Sequence, residues 1–203
     1  MLDGAGRKLI DPLLVRIGER LAAAGVAADA VTWAGLALGL LAGAAVAGEW
    51  YWLAIALIAA SRMCDGLDGV VARLRAATDF GGFLDIVLDF AFYGAIPLGF
   101  VLADPQANGV AGAVLLFAFY VNGASFLAYA VMAQKRGIAS RARGEKSLYF
   151  TTGLAEATET LAVFIAACLF PDWFPVLAYV FAAVTLYTAA SRIVLASREF
   201  RQP

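Results

Sequence analysis

Residues 62–89 read Arg62-Met63-Cys64-Asp65-Gly66-Leu67-Asp68-Gly69-Val70-Val71-Ala72-Arg73-Leu74-Arg75-Ala76-Ala77-Thr78-Asp79-Phe80-Gly81-Gly82-Phe83-Leu84-Asp85-Ile86-Val87-Leu88-Asp89. An apolar run ends as this stretch begins, and another starts before it closes. On a helix, Asp65 and Asp68 are three apart and share a face, as do Asp85 and Asp89, four apart. A tight connection between two antiparallel helices is expected to bring those faces together. Four carboxylates would then converge at one edge of a membrane.

Working outward, the chain of 203 residues is 63% hydrophobic with a mean hydropathy of +0.81, too apolar for an ordinary soluble domain. Six apolar runs, at about 31–48, 50–64, 83–103, 109–133, 152–170 and 173–196, approach the roughly 20 residues that cross a bilayer. The expectation is an all-α membrane protein with one domain over 1–203: an amphipathic interfacial helix over 1–26 and a six-helix transmembrane bundle over 27–203. In the leading stretch Leu2, Leu9, Ile10, Leu13, Leu14, Ile17 and Leu21 recur at helical spacing, with Arg7, Lys8, Asp11, Arg16, Glu19 and Arg20 mostly opposite. That pattern suits a helix lying in the membrane interface, although a helix docked on a protein partner shares it. A cleaved leader is not expected, because the first apolar run starts far from Met1.

Only Cys64 and Cys168 are present, which excludes a disulfide framework and argues against a thiolate metal site. Histidine is absent, so a general base would be a carboxylate or a less usual group.

A net charge of -1 conceals an asymmetry. With six spans, all fifteen Lys and Arg residues fall on one side or in the adjoining helix ends, together with both termini and the 65–82 and 134–151 connections. The opposite connections carry Glu49, Asp104 and Asp172 and no basic residue. The positive-inside rule then places both termini and the aspartates at the cytoplasmic face of the inner membrane.

Four converging carboxylates repel one another and are costly beside hydrocarbon. Arg73 and Arg75 cannot neutralise them all. Oxygen-only ligands favour hard divalent cations, so two Mg²⁺ or Mn²⁺ ions are expected on Asp65, Asp68, Asp85 and Asp89. A metal pair beside a phosphate stabilises both attacking and leaving oxygens in displacement at phosphorus. Gly66, Gly69 and Ala72 would leave a groove for a diphosphate, and Arg73 can neutralise phosphate charge. A single Asp-Gly pair ordinarily marks a turn. The doubled pattern between two spans points to a site instead.

Asp65-x-x-Asp68-Gly69-x-x-Ala72-Arg73, then Gly81-x-x-x-Asp85-x-x-x-Asp89, resembles the signature of the CDP-alcohol phosphotransferase (phosphatidyltransferase) family of phospholipid-synthesis enzymes. Every named position is filled, and the spacer from Leu74 to Phe80 is one residue shorter than the family's usual eight. The resemblance implies that an acceptor hydroxyl attacks the β-phosphorus of a CDP-linked donor and CMP leaves. Asp65, Asp68 and Asp85 would hold the metals, and Asp89 would complete the site and act as the catalytic base. Asp29, Thr32, Gly69, Ala72, Arg73, Thr78 and Gly81 would face the CDP moiety. CDP-diacylglycerol is the implied donor, although in some relatives the lipid is the acceptor. A homodimer is implied by resemblance only.

Two other stretches are similar to family elements. Asp29-Ala30-Val31-Thr32 looks like an element near the nucleotide, with Ala28 in the usual proline position; Asp29 would serve equally as a helix N-cap. Arg141-Ala142-Arg143-Gly144-Glu145 is similar to a stretch of the phosphatidylinositol phosphate synthases, which makes Arg141 and Arg143 a candidate acceptor site. The later arginines of that branch are replaced by Ala157 and Thr160, which argues against inositol phosphate as acceptor. A neutral or zwitterionic alcohol remains open, as does a phosphate held by Arg141 and Arg143 alone. The basic cluster would also attract anionic headgroups. Glu156 and Glu159 either face the aspartate cavity or lie at the interface.

The rival from another class is an ion-coupled transporter, which predicts acids spread through several spans near the midplane. Clustering at one end of one helix pair favours interfacial chemistry. An inactive scaffold of the same fold would have no need of all four carboxylates.

Overall fold

A computed structural model describes residues 3–137 and 157–201, all of whose regular elements are helical. In chain order they are α1 (Asp3–Ala23), α2 (Ala28–Ala47), α3 (Tyr51–Arg75), α4 (Asp79–Ala103), α5 (Pro105–Lys135), α6 (Ala157–Leu169), a 3-10 turn (Pro171–Trp173) and α7 (Phe174–Glu199). They fall into two compact units, residues 1–106 and 107–203.

Four helical segments are long and apolar enough to cross a membrane: Ala28–Ala47, Asp79–Ala103, Pro105–Lys135 and Pro171–Glu199. Large apolar side chains such as Leu41, Phe117 and Val180 stand exposed on them, as lipid-facing side chains do. The predicted second span is the apolar half of α3, whose other half carries Arg62, Asp65, Asp68, Arg73 and Arg75. Of the predicted fifth span, the described helix Ala157–Leu169 has 13 residues. The count of six therefore stands beyond the four that length and apolarity establish here.

In the first unit α2 is the hub. Gly35, Gly39 and Gly43 recur every fourth residue and are buried on one face. A side chain on Gly39 would meet Phe92 of α4 at 2.6 Å and Ser61 of α3 at 3.3 Å; one on Gly43 would meet the Ala95 carbonyl at 2.7 Å. Gly99 of α4 returns the contact, for a Cβ there would collide with the Gly43 carbonyl. Small residues let backbones approach closely where apolar burial discriminates little between helix and lipid. The Ser61 hydroxyl adds a bond to the Gly35 carbonyl at 2.7 Å. α3 and α4 thus lean on α2 far more than on each other. The two aspartate faces meet across a cleft framed by α2.

α1 packs on α3. A Cβ on Gly18 would meet Val70 at 2.5 Å, and one on Gly66 would meet Leu14 at 2.9 Å. Arg75, at the end of α3, donates to the carbonyls of Gly25 (2.6 Å) and Val26 (2.9 Å) and ties down the α1–α2 turn.

The second unit is built from α5, α6 and α7. Phe119 stacks edge-on against Phe164 and Phe181, with centroids 6.3 and 6.0 Å away. At its other end Tyr129 bonds Glu199, and Arg136 donates to the carbonyls of Glu199 (3.0 Å) and Phe200 (2.6 Å). Cys64 and Cys168 are both free thiols.

Candidate active site

All four aspartates line one cleft, together with Thr32, Gly35, Leu36, Ser61, Arg62 and Leu88. α3 supplies Asp65 and Asp68, α4 supplies Asp85 and Asp89, and α2 closes the third side with Thr32 and Gly35. The buried flanks of the two acidic helices, Leu67, Val70 and Val71 on α3 and Leu84 and Leu88 on α4, fix the helix rotation that turns the acids inward.

Thr32, Asp68 and Asp85 also belong to an adjoining groove of about 390 Å³. Its other walls include Asp29, Gly69, Ala72, Arg75, Thr78 and Gly81. Six of the seven residues expected to face the nucleotide thus come together. Thr78 caps α4, its hydroxyl accepting from the Gly81 N–H at 2.9 Å. A Cβ on Gly81 would press on Thr78 (3.1 Å) and Asp29 (3.2 Å), so glycine keeps the groove open.

The differences from expectation are local. Arg73 is exposed and does not line the groove; its Nη1 lies over Gly69 on the same helix, and Arg75 takes the place on the wall. Gly66 faces Leu14 of α1, so it serves helix packing and not the groove. Ala27, not Asp29, is the N-cap of α2; Asp29 sits in the first turn, where a carboxylate complements the helix dipole. Arg141, Arg143 and Glu156 lie outside the described residues. Glu159 is half-buried, with a carboxylate oxygen that has no hydrogen-bond partner.

Two half-buried arginines make side-chain contacts that the sequence did not announce, Arg62 in the cleft and Arg192 elsewhere in the chain. Arg62 Nη1 donates to Asp89 Oδ1 at 2.6 Å and lies 3.5 Å from Asp65 Oδ1. Its spacing of three from Asp65 was the available signal. In the second unit Arg192 Nη1 donates to the Asn122 carbonyl (3.0 Å), Asn122 Oδ1 (3.0 Å) and Ser125 Oγ (2.5 Å). Nothing in the local sequence marks that cluster, which joins α5 to α7 across some 70 residues.

Carboxylates in this number suit hard divalent cations. Asp68 is only 7% exposed, and its Oδ2 is buried without a hydrogen-bond partner. A buried carboxylate oxygen left unpaired is costly, and a bound cation would relieve that cost. Among the described residues, however, no three acidic or thiol side chains stand grouped as a ready cation cage. The donor chemistry fits hard divalent cations, with Arg62 standing among the donors.

The family profile of CDP-alcohol phosphatidyltransferase matches residues 25–194. The chain is 45% identical over 193 residues to the inner membrane protein YnjF of Escherichia coli (strain K12), covering 95% of this chain and 94% of that protein. It is 31% identical over 195 residues to the archaetidylinositol phosphate synthase of Methanothermobacter thermautotrophicus, covering 93% and 88%. The crystal structure of Mycobacterium tuberculosis phosphatidylinositol phosphate synthase (PgsA1) with CDP-DAG bound shares the fold, at a TM-score of 0.72 and 20% identity over 92% of this chain and 94% of that one. The transporter reading falls with these matches. The chain is a membrane enzyme that belongs to the CDP-alcohol phosphatidyltransferase family.

Proposed function

We propose that the enzyme transfers a phosphatidyl group from CDP-diacylglycerol to an alcohol and releases CMP, with Mg²⁺ or Mn²⁺ held by Asp65, Asp68, Asp85 and Asp89. The observation that carries this reading is the junction of the four-aspartate cleft with the 390 Å³ groove through Thr32, Asp68 and Asp85. A nucleotide diphosphate in the groove would present its phosphates to the cleft, and the CDP-DAG bound to the mycobacterial relative supports that donor. Bound divalent cations would supply positive charge to the phosphoryl oxygens. Asp89 takes the proton of the acceptor hydroxyl. The hydroxyl oxygen then bonds to the β-phosphorus, and the bond to the CMP oxygen breaks with its electron pair leaving on CMP. Gly69 and Gly81 let the diphosphate approach the backbone, and Arg75, with Arg73 above Gly69, offsets its charge.

The acceptor is an alcohol other than inositol phosphate, because Ala157 and Thr160 stand where two arginines would grip its phosphate. A second reading keeps an acceptor with one anionic group, its phosphate held by Arg141 and Arg143 alone. Six spans, both termini and the site at the cytoplasmic face, α1 in the interface, and a homodimer complete the proposal. Its basis is the one-sided distribution of Lys and Arg and, for the dimer, family resemblance.

The test is CMP release by the purified protein in lipid with Mg²⁺ or Mn²⁺, from CDP-diacylglycerol and from soluble CDP-alcohols, against neutral, zwitterionic and phosphorylated acceptors. Metal-dependent release from CDP-diacylglycerol with a non-phosphorylated alcohol is expected. Release only with inositol phosphate would overturn the acceptor assignment, and release only from soluble CDP-alcohols would reverse the lipid's role.

A further inference from the structure

Arg62 stands among the four carboxylates that would hold a cation. Its Nη1 bridges Asp89 Oδ1 on α4 (2.6 Å) and Asp65 Oδ1 on α3 (3.5 Å), which joins the two acidic helices across their cleft. With the guanidinium there, the free volume of the cleft is about 10 Å³, close to the room of a single water. A divalent ion bridging Asp89 Oδ1 and Asp65 Oδ1 would need the side chain to move aside.

The pose is also incompletely satisfied. A guanidinium carries five N–H donors and is held best by a two-pronged carboxylate pair. Here one strong bond goes to Asp89, Nη2 reaches Ser61 Oγ at 3.3 Å, and Nε is buried with no partner. The same guanidinium lies 3.8 Å from the centre of the Phe92 ring and 5.7 Å from that of Tyr93. Those rings offer a cation–π platform that survives loss of the carboxylate contact. Arginine stacks on aromatic faces in a way lysine does not reproduce.

We propose that Arg62 is a built-in counter-cation that neutralises Asp89 and Asp65 before metal arrives, must release Asp89 for the divalent ion to bind, and so sets the metal affinity. The inference rests on the reading of the four aspartates as cation ligands. Two divalent ions balance four carboxylates, and Arg62 then adds a surplus positive charge at close range. That surplus weakens the ions' hold while favouring the anionic diphosphate. Loss of a merely structural helix staple would loosen the ligand set and leave metal binding unchanged or weaker, never tighter.

The experiment is Mn²⁺ titration followed by electron paramagnetic resonance, on full-length protein in nanodiscs without nucleotide. Wild type is compared with Arg62→Met, which keeps a long stem over Phe92 without charge, and with Arg62→Lys. Arg62→Met is expected to bind Mn²⁺ about tenfold tighter or more, and Arg62→Lys to stay within about threefold of wild type. Equal or weaker binding by Arg62→Met overturns the proposal alone. Absence of Mn²⁺ binding by wild type overturns it together with the metal reading of the site. If Arg62→Met does not fold, the wild-type protein decides. The Arg62 Nε–H signal, assigned by its loss in Arg62→Lys, must shift at saturating Mg²⁺; a signal that stays in place overturns the proposal.

Discussion

Arg62 and Arg192 are the same residue type, each half-buried in a helix, in regions with opposite charge problems. Around Arg62 negative charge is in excess: four carboxylates share a cleft with one guanidinium that grips Asp89. Around Arg192 the hydrogen-bond partners among the described residues are a carbonyl, an amide oxygen and a hydroxyl, all neutral and all on α5. The first region is short of cations and would take them up. The second has a cation with no counter-ion among its hydrogen-bond partners and would take up an anion. The two regions therefore differ in the sign of the charge they leave to be balanced.

The largest effect should come from removing charge at Asp89, the proposed base. Asp89→Asn is expected to lower CMP release by about 10²–10⁴-fold while CDP binding persists, measured by single-turnover kinetics beside a nucleotide-binding assay. Retention of most activity would move the base elsewhere and break the contrast. Next is the scaffold that holds the cleft open. Gly99→Ala forces a methyl group against the Gly43 carbonyl, and a loss of about 1–3 kcal/mol in denaturant unfolding is expected. The matching change Gly94→Ala, with nothing within 4 Å of the new Cβ, should cost little.

Thr78→Val removes the cap of α4, with an expected loss of about 0.5–2 kcal/mol and a raised KM for the CDP donor. A raised KM for the acceptor alone would shift the groove's assignment. The smallest effect sharpens the comparison most. Arg192→Met should leave Mn²⁺ affinity within about twofold of wild type, since its described partners are neutral. A tenfold change in metal affinity there would erase the distinction between the two arginines.

The sequence by itself determined the chemistry of the cleft. The spacings of Asp65, Asp68, Asp85 and Asp89 put each pair on one helical face, a matter of covalent geometry and the 3.6-residue turn. The long apolar runs were legible too, since they depend on the local run of residue types alone. Only the tertiary structure decided how those faces meet. The glycines of α2 draw both acidic helices onto a third one, so the carboxylates converge across a cleft framed by α2. Gly66 was read as part of the groove but turns toward Leu14, and Arg73 yields its wall position to Arg75. Such assignments depend on helix rotation, which is set by neighbours distant in the chain. Arg62 beside Asp89 and Arg192 beside Asn122 are contacts 27 and 70 residues apart, brought together by packing that no local pattern specifies.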